Sequence, residues 1–181
     1  ELLSRLEACR SADGGYAQQP GSAAGSAYGS FLALGASQDL AAPLPDPAGV
    51  ARCLASLAVG DGSYANDAAM PIGSVPATAA AAMVLAHLGT PTDPDWLLAQ
   101  HDPAGGFRVV PMAPEPDLLS SAVALQALAR LGADISPIRP ACLAYVESLY
   151  RLGGFASCPA DAAPDAEYTF YGLLALGCLA E

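Results

Sequence analysis

The stretch Leu152-Gly153-Gly154-Phe155, followed by Pro159 and then by Asp165-Ala166-Glu167-Tyr168-Thr169-Phe170-Tyr171-Gly172-Leu173-Leu174-Ala175-Leu176-Gly177, decides the fold of this chain. A glycine pair before an aromatic marks a tight turn, because glycine takes positive φ without a steric cost. Asp165 stands where an N-cap opens a helix, the apolar run is helical in character, and Gly177 suits its end. The same signals occur three times earlier, at Asp13-Gly14-Gly15-Tyr16, Asp61-Gly62-Ser63-Tyr64 and Ala104-Gly105-Gly106-Phe107, so that the four aromatics lie 48, 43 and 48 residues apart. After each come a polar, proline-containing stretch and an apolar run, closing at Leu34-Gly35, Leu88-Gly89 and Leu131-Gly132 in the earlier copies.

Before each turn lies another helical segment. Two of these start at Asp46-Pro47 and Asp93-Pro94, a third at Ser136-Pro137, each a cap residue followed by proline. Each repeat reads as outer helix, Gly-Gly-aromatic turn, proline loop and inner helix, and a period of roughly 45 residues belongs to a helical array. The inner runs Ala77 to Leu88 and Ser120 to Leu131 are apolar almost all round, as helices buried on both sides are. The outer runs Pro47 to Ala58 and Pro137 to Arg151 carry Arg52, Arg139, Glu147 and Arg151 for a solvent-facing side. The expectation is an all-α chain forming one domain over residues 1–181, with repeats at about 1–35, 46–89, 93–132 and 137–179.

Composition limits what such an array can do. Eighteen acidic against seven basic residues give a net charge of −11, a field that repels nucleic acid and anionic membrane surfaces. All seven basic residues are arginine, which excludes a Schiff-base lysine and a phosphate-binding Walker lysine. The longest apolar run, Ala77 to Leu88, is too short to span a bilayer, so no transmembrane segment is expected. No basic, apolar and small-residue leader pattern opens the chain at Glu1, and a cytoplasmic location is expected. The five cysteines form no CxxC pair; Cys9, Cys53, Cys142 and Cys178 read as small buried hydrophobes and Cys158 as exposed. His87 and His101 fall at helix C-terminal ends, where the dipole accounts for them.

The four copies resemble the prenyltransferase and squalene-cyclase repeat over essentially the whole chain, the fourth copy most clearly. The resemblance implies an α/α toroid, a barrel or open arc of concentric helices around a central cavity. It brings terpenoid cyclases and protein prenyltransferase β-subunits into view as functional models. Since toroids of this kind usually close with more than four hairpins, it also implies a homodimer or additional repeats completing the ring.

Site residues follow position by position. The protein prenyltransferases hold zinc with an Asp-x-Cys at one inner-helix start and a His near the next. Here Asp165-Ala166-Glu167 puts an acid where the thiolate belongs, and Ser120 falls where the His would. No metal ligand set and no cofactor is therefore assigned, although carboxylates leave Zn²⁺ or Mg²⁺ chemically conceivable. A prenyl diphosphate needs clustered basic groups, and Arg108 alone, beside Phe107, stands near the implied cavity mouth. Protonation-type cyclases carry an acidic motif at this same helix start, so the resemblance makes Glu167 a general acid and Asp165 its orienting partner. A carboxyl among Tyr168, Phe170 and Tyr171 would be desolvated, which favours the proton-carrying form, and the rings could stabilise a cation. Tyr168, Phe170, Tyr171, Arg108 and Asp117 are the expected substrate contacts, for a hydrophobic, isoprenoid-like small molecule. The competing reading makes Asp165 and Asp117 helix caps, places Glu167 where the helix dipole favours negative charge, and packs the aromatics into the core. A non-catalytic repeat domain that binds a protein or lipid partner is the matching functional alternative.

Overall fold

The structure, a computed structural model, describes residues 1–180. Its contacts divide the chain into two compact units, Glu1–Thr92 and the remainder from Asp93 on. Eight helices and two small ribbons make up its regular structure among the described residues. The first unit holds α1 (Leu2–Ala8), α2 (Ala27–Asp39), α3 (Pro47–Ser56), the antiparallel ribbon β1 (Ala65–Asp67) with β2 (Met70–Gly73), and α4 (Val75–His87). The second holds α5 (Asp95–Leu98), α6 (Leu118–Leu131), α7 (Arg139–Ser148), the ribbon β3 (Tyr150–Arg151) with β4 (Gly154–Phe155), and α8 (Ala166–Ala180). In the first unit α2 packs on α4, around Tyr16, Val50, Leu54, Ala81 and Val84. In the second α6 and α7 pack on α8, and Phe107, Leu118, Leu125, Leu128 and Leu149 are completely buried.

One hydrogen-bond scheme builds all four repeats. The backbone N–H of each turn aromatic donates to a hydroxyl 14 residues on: Tyr16 to Ser30, Tyr64 to Thr78, Phe107 to Ser121 and Phe155 to Thr169, over 2.8 to 3.4 Å. The aromatic's carbonyl accepts from the residue that caps the inner helix, namely Ser26, Ser74, Asp117 and Asp165. Each cap side chain in turn accepts a backbone N–H three residues further on. This satisfies the turn and the exposed start of the helix together, at the place where both would otherwise bury unpaired amides.

Several boundaries differ from the sequence expectation. Gly89 and Gly132 do end α4 and α6 at positive φ, but Gly35 and Gly177 lie inside α2 and α8. In α8 the helix runs on to bury Leu179, which offsets the roughly 1 kcal/mol that a mid-helix glycine costs. Ser136-Pro137 forms a turn rather than a helix start, Ile138 donating to the Ile135 carbonyl, and α7 opens only at Arg139. The third outer helix is a single turn. Cys53 and Cys142 are buried as expected, burial pushing the Cys53 thiol up to about 12, whereas Cys9, Cys158 and Cys178 are half-buried.

Candidate functional site

All the sequence-derived site residues lie in the second unit. Asp165 caps α8: its Oδ1 accepts the Tyr168 N–H at 2.7 Å and its carbonyl accepts from Thr169. Asp117 caps α6 in the same way, Oδ1 accepting the Ser120 N–H and Oδ2 the Ser120 hydroxyl, both at 2.7 Å. Their surroundings differ. Asp165 is exposed, while Asp117 is half-buried and burial raises its carboxyl above the ordinary value, the Ser120 hydrogen bonds only partly opposing this.

Glu167 is exposed in the first turn of α8, so the desolvation expected of it is found at Asp117 instead. The aromatics do gather there. Tyr171 lies 6.4 Å from Tyr168 and 5.4 Å from Phe170 between ring centroids. Phe170 itself is 61% exposed and is not a core residue. Burial pushes the Tyr168 phenol up, and the negative charges of Asp117, Glu167, Asp165 and Asp161 push it further. The start of α8 is thus a place where carboxylates and aromatic faces meet.

Arg108 does not stand free at a cavity mouth. Its Nε donates to Asp102 Oδ2 at 2.9 Å and its Nη2 closes an ion pair with the same oxygen. Asp102, nearly buried, also accepts the Ala104 N–H, and these two interactions hold its carboxyl below the ordinary range. The pair locks the Gly-Gly turn of the third repeat. Its signal in the sequence is an acid and an arginine flanking a glycine turn, a pattern the reading of Arg108 as a substrate contact passed over. Tyr145 was also missed; its hydroxyl donates to the Pro116 carbonyl at 2.8 Å and ties α7 to the residue before the Asp117 cap.

The donor set does not fit the zinc site of the resemblance. Ser120, at the place of the histidine, is bonded to Asp117, and Asp165 is committed to its cap. Among the described residues no three His, Cys, Asp or Glu side chains come together as metal ligands. Nor is any described helix long and apolar enough to cross a membrane.

The Gly-Gly-aromatic turn, hydroxyl latch and capped inner helix define the second unit as an α/α-toroid repeat pair. Residues 90–179 match the family model of the prenyltransferase alpha-alpha toroid domain, so the second half of the chain carries that toroid-repeat domain. Among solved structures it is similar to Candida albicans protein geranylgeranyltransferase-I complexed with GGPP. The two are 15% identical with a TM-score of 0.69, covering 86% of this chain and 53% of that one. This chain therefore spans about half the length of that relative, and the likeness is one of fold. No curated protein matches the sequence.

Proposed function

We propose that the chain binds a neutral, isoprenoid-like hydrophobic ligand along the open faces of its inner helices. One observation carries this reading. When α6 and α8 are aligned on Ser121 and Thr169, Leu119, Val123 and Gln126 on α6 correspond to Glu167, Tyr171 and Leu174 on α8. All six remain half-buried or exposed, beside rows on α6 that are fully buried. The surface is largely apolar, with an acid and a phenol at one end. The fold relative carries GGPP in its structure, which supports an isoprenoid class of ligand. The engagement of Arg108 by Asp102 argues for a neutral ligand over a diphosphate, whose charge would need free basic partners.

A second reading adds chemistry at the same place. Glu167 would donate a proton to an alkene or epoxide, with Asp165 beside it, and the Tyr168, Phe170 and Tyr171 rings would face the resulting cation. Four carboxylates raising the Tyr168 phenol favour this reading, because the same field stabilises positive charge.

Thermal unfolding with squalene, with geranylgeranyl diphosphate and without ligand tests the binding. A bound ligand at about 100 times its dissociation constant stabilises by roughly 2.7 kcal/mol. A shift with squalene alone is expected; a shift that requires the diphosphate would overturn the neutral-ligand assignment. Glu167→Gln separates binding from chemistry. Lost product formation with an unchanged squalene shift makes Glu167 the acid, and unchanged product formation removes it from that role.

A further inference from the structure

Matched on the hydroxyls that latch their turns, Ser30, Thr78, Ser121 and Thr169, the four inner helices share a position five residues further on. It is Gly35 in α2, Met83 in α4, Gln126 in α6 and Leu174 in α8. Three of the four carry no polar side chain, so the packing of the repeat requires none there. Gln126 is the exception. It lies in the row Leu119, Val123 and Gln126, half-buried, between the completely buried Leu125 and Ala127. Two other glutamines have partners: Gln100 donates to the Trp96 carbonyl at 3.1 Å, and Gln38 Nε2 meets His87 Nδ1 at 3.4 Å. Among the described residues the Gln126 amide has none. An amide held partly out of water with nothing to bond costs stability, and a ligand that supplies the bond offsets that cost.

We infer that Gln126 holds an oxygen at the far end of the ligand, and that the ligand is a neutral terpenoid alcohol rather than a hydrocarbon. The inference rests on the apolar face proposed above and names the class of molecule that lies on it. The two ends of that face differ in chemistry. Glu167 stands at one end, at the level of Leu119, and Gln126 lies seven residues beyond Leu119, about 10 Å along the helix. Extended geraniol is about that long. Between the ends, Val123 and the Tyr171 ring suit its hydrocarbon part.

The amide selects the kind of oxygen. Glutamine offers both a donor and an acceptor, and a hydroxyl needs one of each. A carboxylate or a diphosphate accepts only, and it would meet no charge on the Gln126 side chain. The next member of the row, Arg130, is exposed in the last turn of α6, where its charge complements the helix end.

Isothermal titration calorimetry of the chain with geraniol, with the same terpene lacking its hydroxyl and with geranic acid tests this, on the wild type and on Gln126→Met. Methionine is unbranched and of similar length, and it already stands at this place in α4. The variant should therefore fold, and at least wild-type affinity for the hydrocarbon shows that it has. The wild type is expected to bind geraniol about three- to tenfold more tightly than the hydrocarbon, the worth of one neutral hydrogen bond. Gln126→Met should bind the two alike. Equal binding by the wild type, or a preference for geraniol that survives in Gln126→Met, would overturn the role of Gln126 and leave the apolar face standing. Tighter binding of geranic acid than of geraniol would overturn it too, since the end of the row would then belong to Arg130 and an anion. If the wild type binds none of the three, the face itself is removed and the inference goes with it.

Discussion

The third and fourth repeats fold their turns with different numbers of residues. His101 and Tyr150 occupy the same place: each pairs across its turn with the aromatic and meets its ring edge-on, at 5.6 Å for His101 and Phe107 and 5.2 Å for Tyr150 and Phe155. Between them the third repeat has Asp102-Pro103-Ala104-Gly105-Gly106 and the fourth only Arg151-Leu152-Gly153-Gly154. The longer turn has room for a buried carboxylate that accepts the Ala104 N–H and grips Arg108. The shorter one turns on two residues, and Arg151 reaches out to the Asp161 carbonyl. The aromatic, the hydroxyl latch and the cap are the same in both. The latch and cap therefore define the repeat, and the turn is the part free to vary.

The largest test of this comparison lies in how tightly each turn is held. Gly105 has φ +100°, and a Cβ there would run into the Ala141 carbonyl and the Tyr145 side chain of α7. Gly105→Ala combines backbone strain of about 1–3 kcal/mol with overpacking of about 1–3 kcal/mol, and a denaturant titration should show a loss of ~3 kcal/mol or more. Gly153 has φ +87° with open space at its Cβ. Gly153→Ala should cost only the left-handed strain, about 1–2 kcal/mol. Equal losses would mean that α7 does not clamp the third turn.

Asp102 gives the next largest effect. Its carboxyl is held low by Ala104 and Arg108, so its contribution is present above the ordinary carboxylate value and disappears as pH falls below it. Asp102→Asn should lose about 1.5–3 kcal/mol at neutral pH, the range for hydrogen bonds to a charged group, and the gap to wild type should close in acid. A loss that is independent of pH would show that shape rather than charge holds the turn.

The repeat was readable because its signals are local. Glycines, the aromatic, the cap residue and the hydroxyl sit at fixed offsets, and each has a backbone hydrogen bond to make. Burial depends on what covers a residue, and that is set by partners far along the chain. So Glu167, read as a desolvated acid, is exposed, as is Phe170, which the competing reading packed into the core, while Asp117 is the carboxyl that burial raises. The partner of Arg108, Asp102, is likewise seen only once the turn is folded. Gly35 and Gly177 show the limit on local signals themselves, since both helices continue past a residue that elsewhere ends them.

The two capping aspartates sharpen the contrast at a smaller scale. Asp165→Ala removes a cap and nothing else, and should cost about 1 kcal/mol. Asp117→Asn keeps an oxygen for the Ser120 N–H and removes a charge that burial disfavours, so at neutral pH it should be at least as stable as wild type. The sign follows from the raised carboxyl: the native Asp117 is best tolerated below its ordinary value and becomes a burden as pH rises through the raised one. The advantage of Asp117→Asn should therefore shrink as the solution is acidified. Melting curves at neutral and acid pH check this, and a neutral-pH loss would mean that the charge on Asp117 strengthens its cap more than burial weakens it.

The smallest effect comes from the shortened turn. Leu152 has φ +53° and Gly153 φ +87°, so both central residues of this two-residue connection take the positive φ of a type I′ hairpin turn. Such turns favour asparagine and then glycine, and leucine pays left-handed strain with no packing in return, being 90% exposed. Leu152→Asn gives the Asn-Gly pair that this geometry prefers and should raise stability by about 0.5–1 kcal/mol. It also removes a large apolar side chain beside the start of α8 without touching the latch or the cap. If Leu152→Asn is less stable than wild type, the exposed leucine is covered in the working protein, and its conformation is held by a contact rather than tolerated by the turn.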